Sequence, residues 1–347
     1  METATIPYLT LAGDPAQLGF QHGRERAAAL RAFLADGLCR LDRLLPAAVD
    51  RAQLAADLDR YGQAISSATP ALAEEIQGLA DGAGIGWSDA VLLQVRREVL
   101  GYQKVPSRGD CTTYARSGEM PVLAQTVDLN GDLDDQIAVL RLCPSGSSRQ
   151  TLVLSFGGLL GYLGLNSSGL AIGLNLVLGG TWRTGLPPYL AIRHLLDVAD
   201  TVDEAVRELR TLRLASSRSI MLCDRNQTGF VEILGDETRW HPATESVHTN
   251  HFLDPDFEPL DELNVFARNS SRLRLETARQ ALLSLPADAD ARRHFDLLSA
   301  APICVAGTGD IRRERTVAAV VAFPDRGELH LRPGDPSKST TSVFRFR

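Results

Sequence analysis

The hydrophobic period of this chain shifts near residue 111 from mostly helical to mostly strand-like, and that shift limits the possible folds more than any other feature. Upstream, apolar residues recur at helical spacing. Asp14-Pro15 offers an N-cap followed by proline at the first helical position, with Gln17 placed for a capping box, and Leu18, Ala27, Leu30, Phe33, Leu34 and Leu38 form a stripe. Thr69-Pro70 opens a second helix through Leu72, Ile76 and Leu79, stopped by Gly82-Ala83-Gly84, and Ser88 reads as the cap of a third carrying Val91, Leu92 and Val95. Downstream the period becomes that of strands. Val122 to Val127, Ile137 to Leu142, Thr151 to Phe156 and Leu170 to Val177 are short apolar runs bounded by turn residues. Asn166-Ser167-Ser168-Gly169 reads as a hairpin turn, as does Arg225 to Gly229 between Ile220–Cys223 and Phe230–Ile233. Helices are predicted at Pro188 to Val198, after Thr201 with Glu204 completing a capping box, and from near Ser270 through Leu282; strands return at Val317 to Phe323 and Glu328 to Leu331. Antiparallel hairpins with helices grouped between them predict an α+β fold. At 347 residues, 44% of them hydrophobic, the chain can bury a sizeable core without covalent staples.

A formal net charge of −7 argues against a polyanionic partner, and the short cluster Arg312, Arg313, Arg315 reads as a solvated face, so no nucleic acid is expected. No stretch approaches the roughly 20 apolar residues of a membrane helix, and Met1 to Pro7 lacks the basic and apolar regions of a signal peptide. The five cysteines, Cys39, Cys111, Cys143, Cys223 and Cys304, are odd in number and without a C-x-x-C pair, which fits neither a disulfide framework nor a zinc ribbon. A reduced, cytoplasmic protein without metal or cofactor is the expectation. Four of the cysteines lie in apolar surroundings and read as small buried hydrophobes. Cys111 differs.

Cys111 follows the linker Pro106-Ser107-Arg108-Gly109-Asp110 and opens the strand-rich part. A thiol in that position can attack the carbonyl that precedes it, and hydrolysis of the resulting ester leaves Cys111 as a new N-terminus. Its freed α-amine, with a reference pKa of about 7.7–8.0, can then act as general base for its own thiol. From spacing alone, a buried strand cysteine is the other reading.

Gly109-Asp110-Cys111-Thr112-Thr113 resembles the cleavage site of the isopenicillin-N acyltransferase family of self-processing thiol enzymes. Other pieces fall in that family's order along nearly the whole chain. They are Gly13-Asp14-Pro15 with Gly19-Phe20-Gln21-His22-Gly23, the stretch Glu74 to Gly84, which is similar to an E-x-x-G-x-A-x-G-x-G segment, and Arg97-Glu98. Downstream come Gln125-Thr126-Val127-Asp128, Leu165 to Leu170, His248-Thr249-Asn250-His251-Phe252, Ile303-Cys304, Thr316 and Gly334-Asp335-Pro336.

The resemblance implies a four-layer αββα N-terminal-nucleophile hydrolase fold with a helical N-terminal segment. Residues 1–110 would be the segment released by cleavage, kept as a tightly associated subunit, and residues 111–347 the catalytic core. It implies Cys111 as nucleophile, Asn250 as side-chain oxyanion donor, Asp128 as a carboxylate orienting the new α-amine, and Thr113 as support for the same network or for cleavage. The substrate would be a small-molecule acyl donor: an amide, an ester or, by family analogy, a coenzyme A thioester. Two departures stand out: Asp110 where the family usually has Gly, and Thr126 where it usually has Asn. The H-x-x-H spacing of His248 and His251 suits a metal pair or a Cys–His dyad, but the resemblance makes this stretch the frame that presents Asn250. Gly157 to Gly164 suits either the lining of a small acyl pocket or a tight strand-turn element. The alternatives are an unprocessed Cys–His hydrolase and a non-hydrolytic acyl-binding or cyclising protein of specialised metabolism.

Overall fold

The computed structural model describes residues 5–101 and 111–346. The chain starts with strand β1 (Tyr8–Gly13), which the helical reading of this region lacks. Helix α1 (Pro15–Ala35) begins where its cap predicts: the Asp14 carboxylate accepts from the Gln17 backbone at 2.8 Å, and the Gln17 side chain accepts from the Asp14 backbone at 3.0 Å. The short α2 (Leu41–Leu44) and α3 (Arg51–Ala68) follow, then α4 (Pro70–Ala83) and α5 (Trp87–Leu100). Gly84 caps α4 at a φ of 65°, a conformation that costs glycine nothing. The cap of α5 is Gly86 rather than Ser88, which lies inside the first turn.

The glycine-rich motifs of the first hundred residues prove to be a helix crossing. A Cβ on Gly19 or Gly23 of α1 would run into the carbonyl oxygen of Glu75 or Leu79, and one on Gly78 or Gly82 of α4 into that of Ala16 or Phe20. The two backbones therefore touch at a separation that no larger residue allows. Glu75 holds this layer to the core by two 2.8 Å hydrogen bonds from Arg193, both side chains being almost wholly buried.

Beyond residue 111 come β2 (Thr112–Arg116), β3 (Val122–Leu129), β4 (Ile137–Pro144), β5 (Thr151–Phe156), β6 (Leu163–Asn166) and β7 (Ala171–Leu176). Helices α6 (Pro188–Val198) and α7 (Val202–Leu209) separate these from β8 (Arg218–Cys223), β9 (Thr228–Leu234), β10 (Glu237–Ala243) and β11 (Glu245–His248). Helices α8 (Val265–Ser284) and α9 (Ala291–Ser299) precede β12 (Arg315–Phe323), β13 (Glu328–Pro333) and β14 (Ser342–Arg345). Thr201 caps α7, but Glu204 reaches the Asp200 backbone instead of closing the capping box. Asn264 starts α8 a full turn before Ser270.

The strands form an eight-stranded sheet in the order β1-β4-β5-β6-β7-β8-β9-β10 and a six-stranded sheet in the order β11-β2-β3-β12-β13-β14. Among the strand pairs of the described residues, only β1–β4 is parallel. The sheets face each other through β2 and β3 against β7 and β8, with α1, α6 and α7 outside the larger sheet and α8 and α9 outside the smaller one. This is the four-layer αββα arrangement expected from the sequence. Among the described residues no helix is long and apolar enough to cross a membrane. All five cysteines are free; Cys143 and Cys304 are half-buried, so the buried-hydrophobe reading holds only for Cys39 and Cys223 among the four.

Candidate active site

Cys111 stands immediately before β2, a central strand of the smaller sheet, and at its end nearest the neighbouring Asp128 of β3. The Asp128 backbone N–H donates to Cys111 Sγ at 3.3 Å, and Sγ lies 3.6 Å from the Asp128 carbonyl oxygen. Thr126, one of the two departures from the family pattern, ties the same corner together. Its hydroxyl accepts from the Thr112 backbone at 3.1 Å and donates to Asp128 Oδ2 at 3.3 Å. Asp110, the other departure, lies outside the described residues, as does the linker before it.

The Cys111 carbonyl oxygen accepts from Asn175 Nδ2 at 3.0 Å and from Arg274 Nη1 at 2.7 Å. Arg274, fully buried on α8, also reaches Thr112 Oγ1 at 3.1 Å and Asn250 Oδ1 at 3.0 Å. One guanidinium thus spans from the backbone of Cys111 to the amide of Asn250. Sequence reasoning missed it. The available signal was positional: Arg274 falls on the buried stripe of α8 with Ala267, Ser271, Ala278 and Leu282, where a core residue is expected.

With Oδ1 held by Arg274, the Asn250 amide must turn its nitrogen the other way, and Nδ2 donates to the Leu176 carbonyl at 2.9 Å. An amide nitrogen carries two hydrogens, so one N–H remains for the cavity that both Asn250 and Cys111 line. The loop bearing Asn250 is fixed to α8, since its backbone N–H donates to Ser271 Oγ at 2.8 Å, an atom that also meets His251 Nδ1 at 2.7 Å. His248 sets its Nδ1 on the Thr249 carbonyl and its Nε2 on Glu232, both at 2.7 Å. Burial pulls the His251 pKa down to about 4. Both histidines frame Asn250, and among the described residues no histidine lines the cavity. Those residues also hold no group of three or more His, Cys, Asp or Glu side chains that could hold a metal ion.

The cavity has a volume of about 70 Å³ and opens to solvent. Leu93, Gln94, Arg96 and Arg97 of α5 form one wall, so the first hundred residues build the site together with the core. Gln94 anchors the Gly157–Gly164 stretch, accepting from Leu160 N and donating to the Gly158 carbonyl, each at 3.0 Å. That stretch combines both readings made of it. Gly157 and Gly158 form a tight turn at φ 53° and 84°, packed against Phe33 and Leu30, while Leu159 and Tyr162 line the cavity. Burial raises the Tyr162 phenol well above its ordinary pKa, which leaves it a neutral donor.

Thr113 is not part of this assembly. It packs its methyl group toward Gly173 of β7, between the sheets, and its hydroxyl has no hydrogen-bond partner among the described residues. The structure thus brings Cys111, Asp128 and Asn250 around one cavity and leaves Thr113 outside it.

Residues 115–338 match the model of the acyl-coenzyme A:6-aminopenicillanic acid acyl-transferase family. The chain belongs to this family. A curated relative, the 40 kDa form of the acyl-coenzyme A:6-aminopenicillanic-acid-acyltransferase of Emericella nidulans, is 27% identical over 272 residues, which cover 76% of this chain and 74% of the relative. Solved structures with similarity include penicillin V acylase from Agrobacterium tumefaciens, at 14% identity and a TM-score of 0.48, covering 68% of this chain and 86% of that one. Another is the Caenorhabditis elegans ortholog of N-acylethanolamine-hydrolyzing acid amidase, at 18% identity and a TM-score of 0.48, covering 68% of this chain and all of that one. The family match begins at residue 115, so the arrangement around Cys111 stands on the geometry given above.

Proposed function

We propose that this chain is a self-processing thiol acyl hydrolase or acyltransferase with Cys111 as nucleophile. The observation that carries the reading is a single cavity lined by Cys111, Asp128 and Asn250, with one Asn250 N–H uncommitted to protein and no histidine in the wall among the described residues. A thiol without a histidine needs another base, and an α-amine on Cys111 itself supplies one.

In processing, Cys111 Sγ attacks the Asp110 carbonyl carbon; the C–N bond breaks, its nitrogen takes up the thiol proton, and a thioester forms. Water hydrolyses that ester, leaving the Asp110 carboxylate and a free amine on Cys111. In turnover the amine removes the thiol proton and Sγ attacks the substrate carbonyl. The Asn250 N–H then donates to the developing oxyanion. Collapse of the intermediate returns the proton to the departing amine, alcohol or thiol. Water or an acceptor nucleophile resolves the acyl-enzyme, giving hydrolysis or transfer. Asp128 orients the amine through its carboxylate and the thiol through its backbone N–H, and Thr113 keeps a packing role.

The released segment would stay bound as a subunit, because β1 is hydrogen-bonded into the larger sheet and α5 walls the cavity. The acyl donor is a small amide, ester or coenzyme A thioester, and a reducing cytoplasm suits five free thiols. Intact mass under denaturing, reducing conditions tests the reading. Two fragments divided between Asp110 and Cys111 are expected; a single full-length chain with activity overturns the mechanism.

A further inference from the structure

The reaction above gives no task to the pair of titratable groups packed beneath Asn250. His248 ends β11 of the smaller sheet, Glu232 lies on β9 of the larger one, and both side chains are wholly buried. His248 Nε2 is 2.7 Å from Glu232 Oε1, and His248 Nδ1 is 2.7 Å from the Thr249 carbonyl oxygen. A carbonyl oxygen can only accept. The same holds for Glu232, whose Oε1 also takes the Leu253 backbone N–H at 2.6 Å and whose Oε2 takes that of Asp254 at 2.9 Å. Neither neutral tautomer of the imidazole fits, because each would turn a nitrogen lone pair toward one of these acceptors. His248 therefore carries both protons and Glu232 none.

The surroundings agree with that charge state. Burial alone would raise the Glu232 pKa, but the hydrogen bond and charge of His248 and the two backbone N–H groups take it below its ordinary value. His251 contrasts with its neighbour. Its Nδ1 meets the Ser271 hydroxyl, which can donate or accept, so nothing requires a charge there. Burial first, then the charges of His248 and Arg272, with a smaller part from Arg274 and against the pull of Glu232, keep His251 neutral.

The pair grips the loop on both sides of Asn250. The Thr249 carbonyl and the Asn250 backbone N–H belong to one planar peptide unit. His248 holds its oxygen and Ser271 Oγ holds its N–H at 2.8 Å, so the unit cannot rotate and swing the Asn250 side chain away. Glu232 fixes the chain again at Leu253 and Asp254, three and four residues further on. With the backbone set in this way, Arg274 and the Leu176 carbonyl only orient the amide group.

We infer that Glu232 and His248 are positioning residues for the Asn250 oxyanion donor, acting as a buried carboxylate–imidazolium pair whose cation holds the peptide unit before Asn250. This rests on the acyl-transfer reading for the task of Asn250; the charge state of the pair does not.

The first experiment is NMR of the ring nitrogens in isotope-labelled wild-type protein at neutral pH. Both nitrogens of His248 should resonate as protonated, whereas His251 should show one unprotonated nitrogen. The signals are identified by their loss in His248→Gln, or through the His248 backbone if that variant fails to fold. An unprotonated nitrogen on His248 overturns the inference.

The second is kinetic. Glu232→Gln keeps the size of the side chain and removes the charge that the imidazolium needs. Turnover of 4-nitrophenyl pentanoate should then lose about 10- to 100-fold in kcat, the effect of a small misplacement of a catalytic group, with KM within about twofold of wild type. The rate of Cys111 alkylation by iodoacetamide, followed by mass, should not change. An unchanged kcat overturns the positioning role, as does a fall in kcat matched by an equal loss of thiol reactivity, which would mean that the whole site has loosened. If Glu232→Gln fails to fold, the wild-type spectrum still decides the charge state. A wild type that turns over no ester and leaves Cys111 unacylated sinks the acyl-enzyme reading instead, and a doubly protonated His248 in that protein upholds the ion pair.

Discussion

Replacing Asn250 by alanine should slow the chemical step without weakening substrate binding, and the size of the loss follows from a count of hydrogens. The amide nitrogen has two; Leu176 takes one at 2.9 Å, so a single donor faces the cavity. Removing one preorganised oxyanion donor costs about 2.7–4 kcal/mol, a factor of about 10² to 10³ in kcat. KM should change little, because the bond strengthens as charge develops in the transition state. The same substitution removes the hydrogen bonds to the Leu176 carbonyl and from Arg274 Nη2, and the loss of the partner of the Leu176 carbonyl costs about 1–3 kcal/mol of stability. Asn250→Asp separates the two effects. It preserves an oxygen for Arg274 but has no N–H to donate and turns an oxygen toward the Leu176 carbonyl, so kcat should fall at least as far as in the alanine variant while the Arg274 contact is kept. The assay is 4-nitrophenolate release from 4-nitrophenyl pentanoate, with urea unfolding in parallel. A folded Asn250→Ala protein whose kcat stays within about fivefold of wild type refutes the oxyanion assignment, as does a loss confined to KM.

Cys111→Ala should give one uncut chain by intact mass and no ester turnover; full activity in that variant would remove Cys111 from the mechanism. His22 is buried between α1 and its surroundings with both ring nitrogens unpartnered among the described residues, and burial first, then Arg26 and Arg193, depress its pKa to about 3. As pH falls below about 6.5, the unfolded chain takes up a proton that the folded chain refuses until about pH 3. Stability is therefore lost across that window, by about 1.4 kcal/mol per pH unit from this group. Urea unfolding at pH 6.5 and 5 should show about 2 kcal/mol more loss in wild type than in His22→Met; equal losses would reject the assignment. Gly78→Ala places a methyl group against the Ala16 carbonyl and should cost about 3 kcal/mol in the same unfolding assay, and a neutral outcome would mean that α1 and α4 separate freely.

The sequence made the strands legible because most are bordered by real turns: Asn166 to Gly169 and Arg225 to Gly229 join consecutive antiparallel partners. It hid β1, whose partner lies more than a hundred residues away in a parallel pairing and whose burial is mostly partial or absent at the sheet edge. It offered α3 without the reading taking it up, for Leu54, Leu58, Tyr61 and Ile65 recur at helical spacing behind an Asp50 cap. The glycine motifs were recognised as a pattern before their cause was visible. Only the crossing of α1 and α4 explains why those positions exclude a Cβ.

The site divides along the same physical line. Cys111 stood out because it follows a linker and opens the strand-rich part, and Asp128 and Asn250 because the short motifs that hold them resemble the family's in sequence and order. Their supports are not local. Arg274 reaches Cys111 across 163 residues, Asn175 across 64, and Gln94 holds the Gly158–Leu160 turn from the other side of the 110/111 boundary. Each is a polar residue on an otherwise buried face, a pattern that marks an interaction without naming its partner. The partner decides the consequence. Arg274 paired to a surface carboxylate would be a stability detail; paired to Asn250 Oδ1 it dictates which way the amide turns, and therefore whether the cavity meets an N–H or an oxygen.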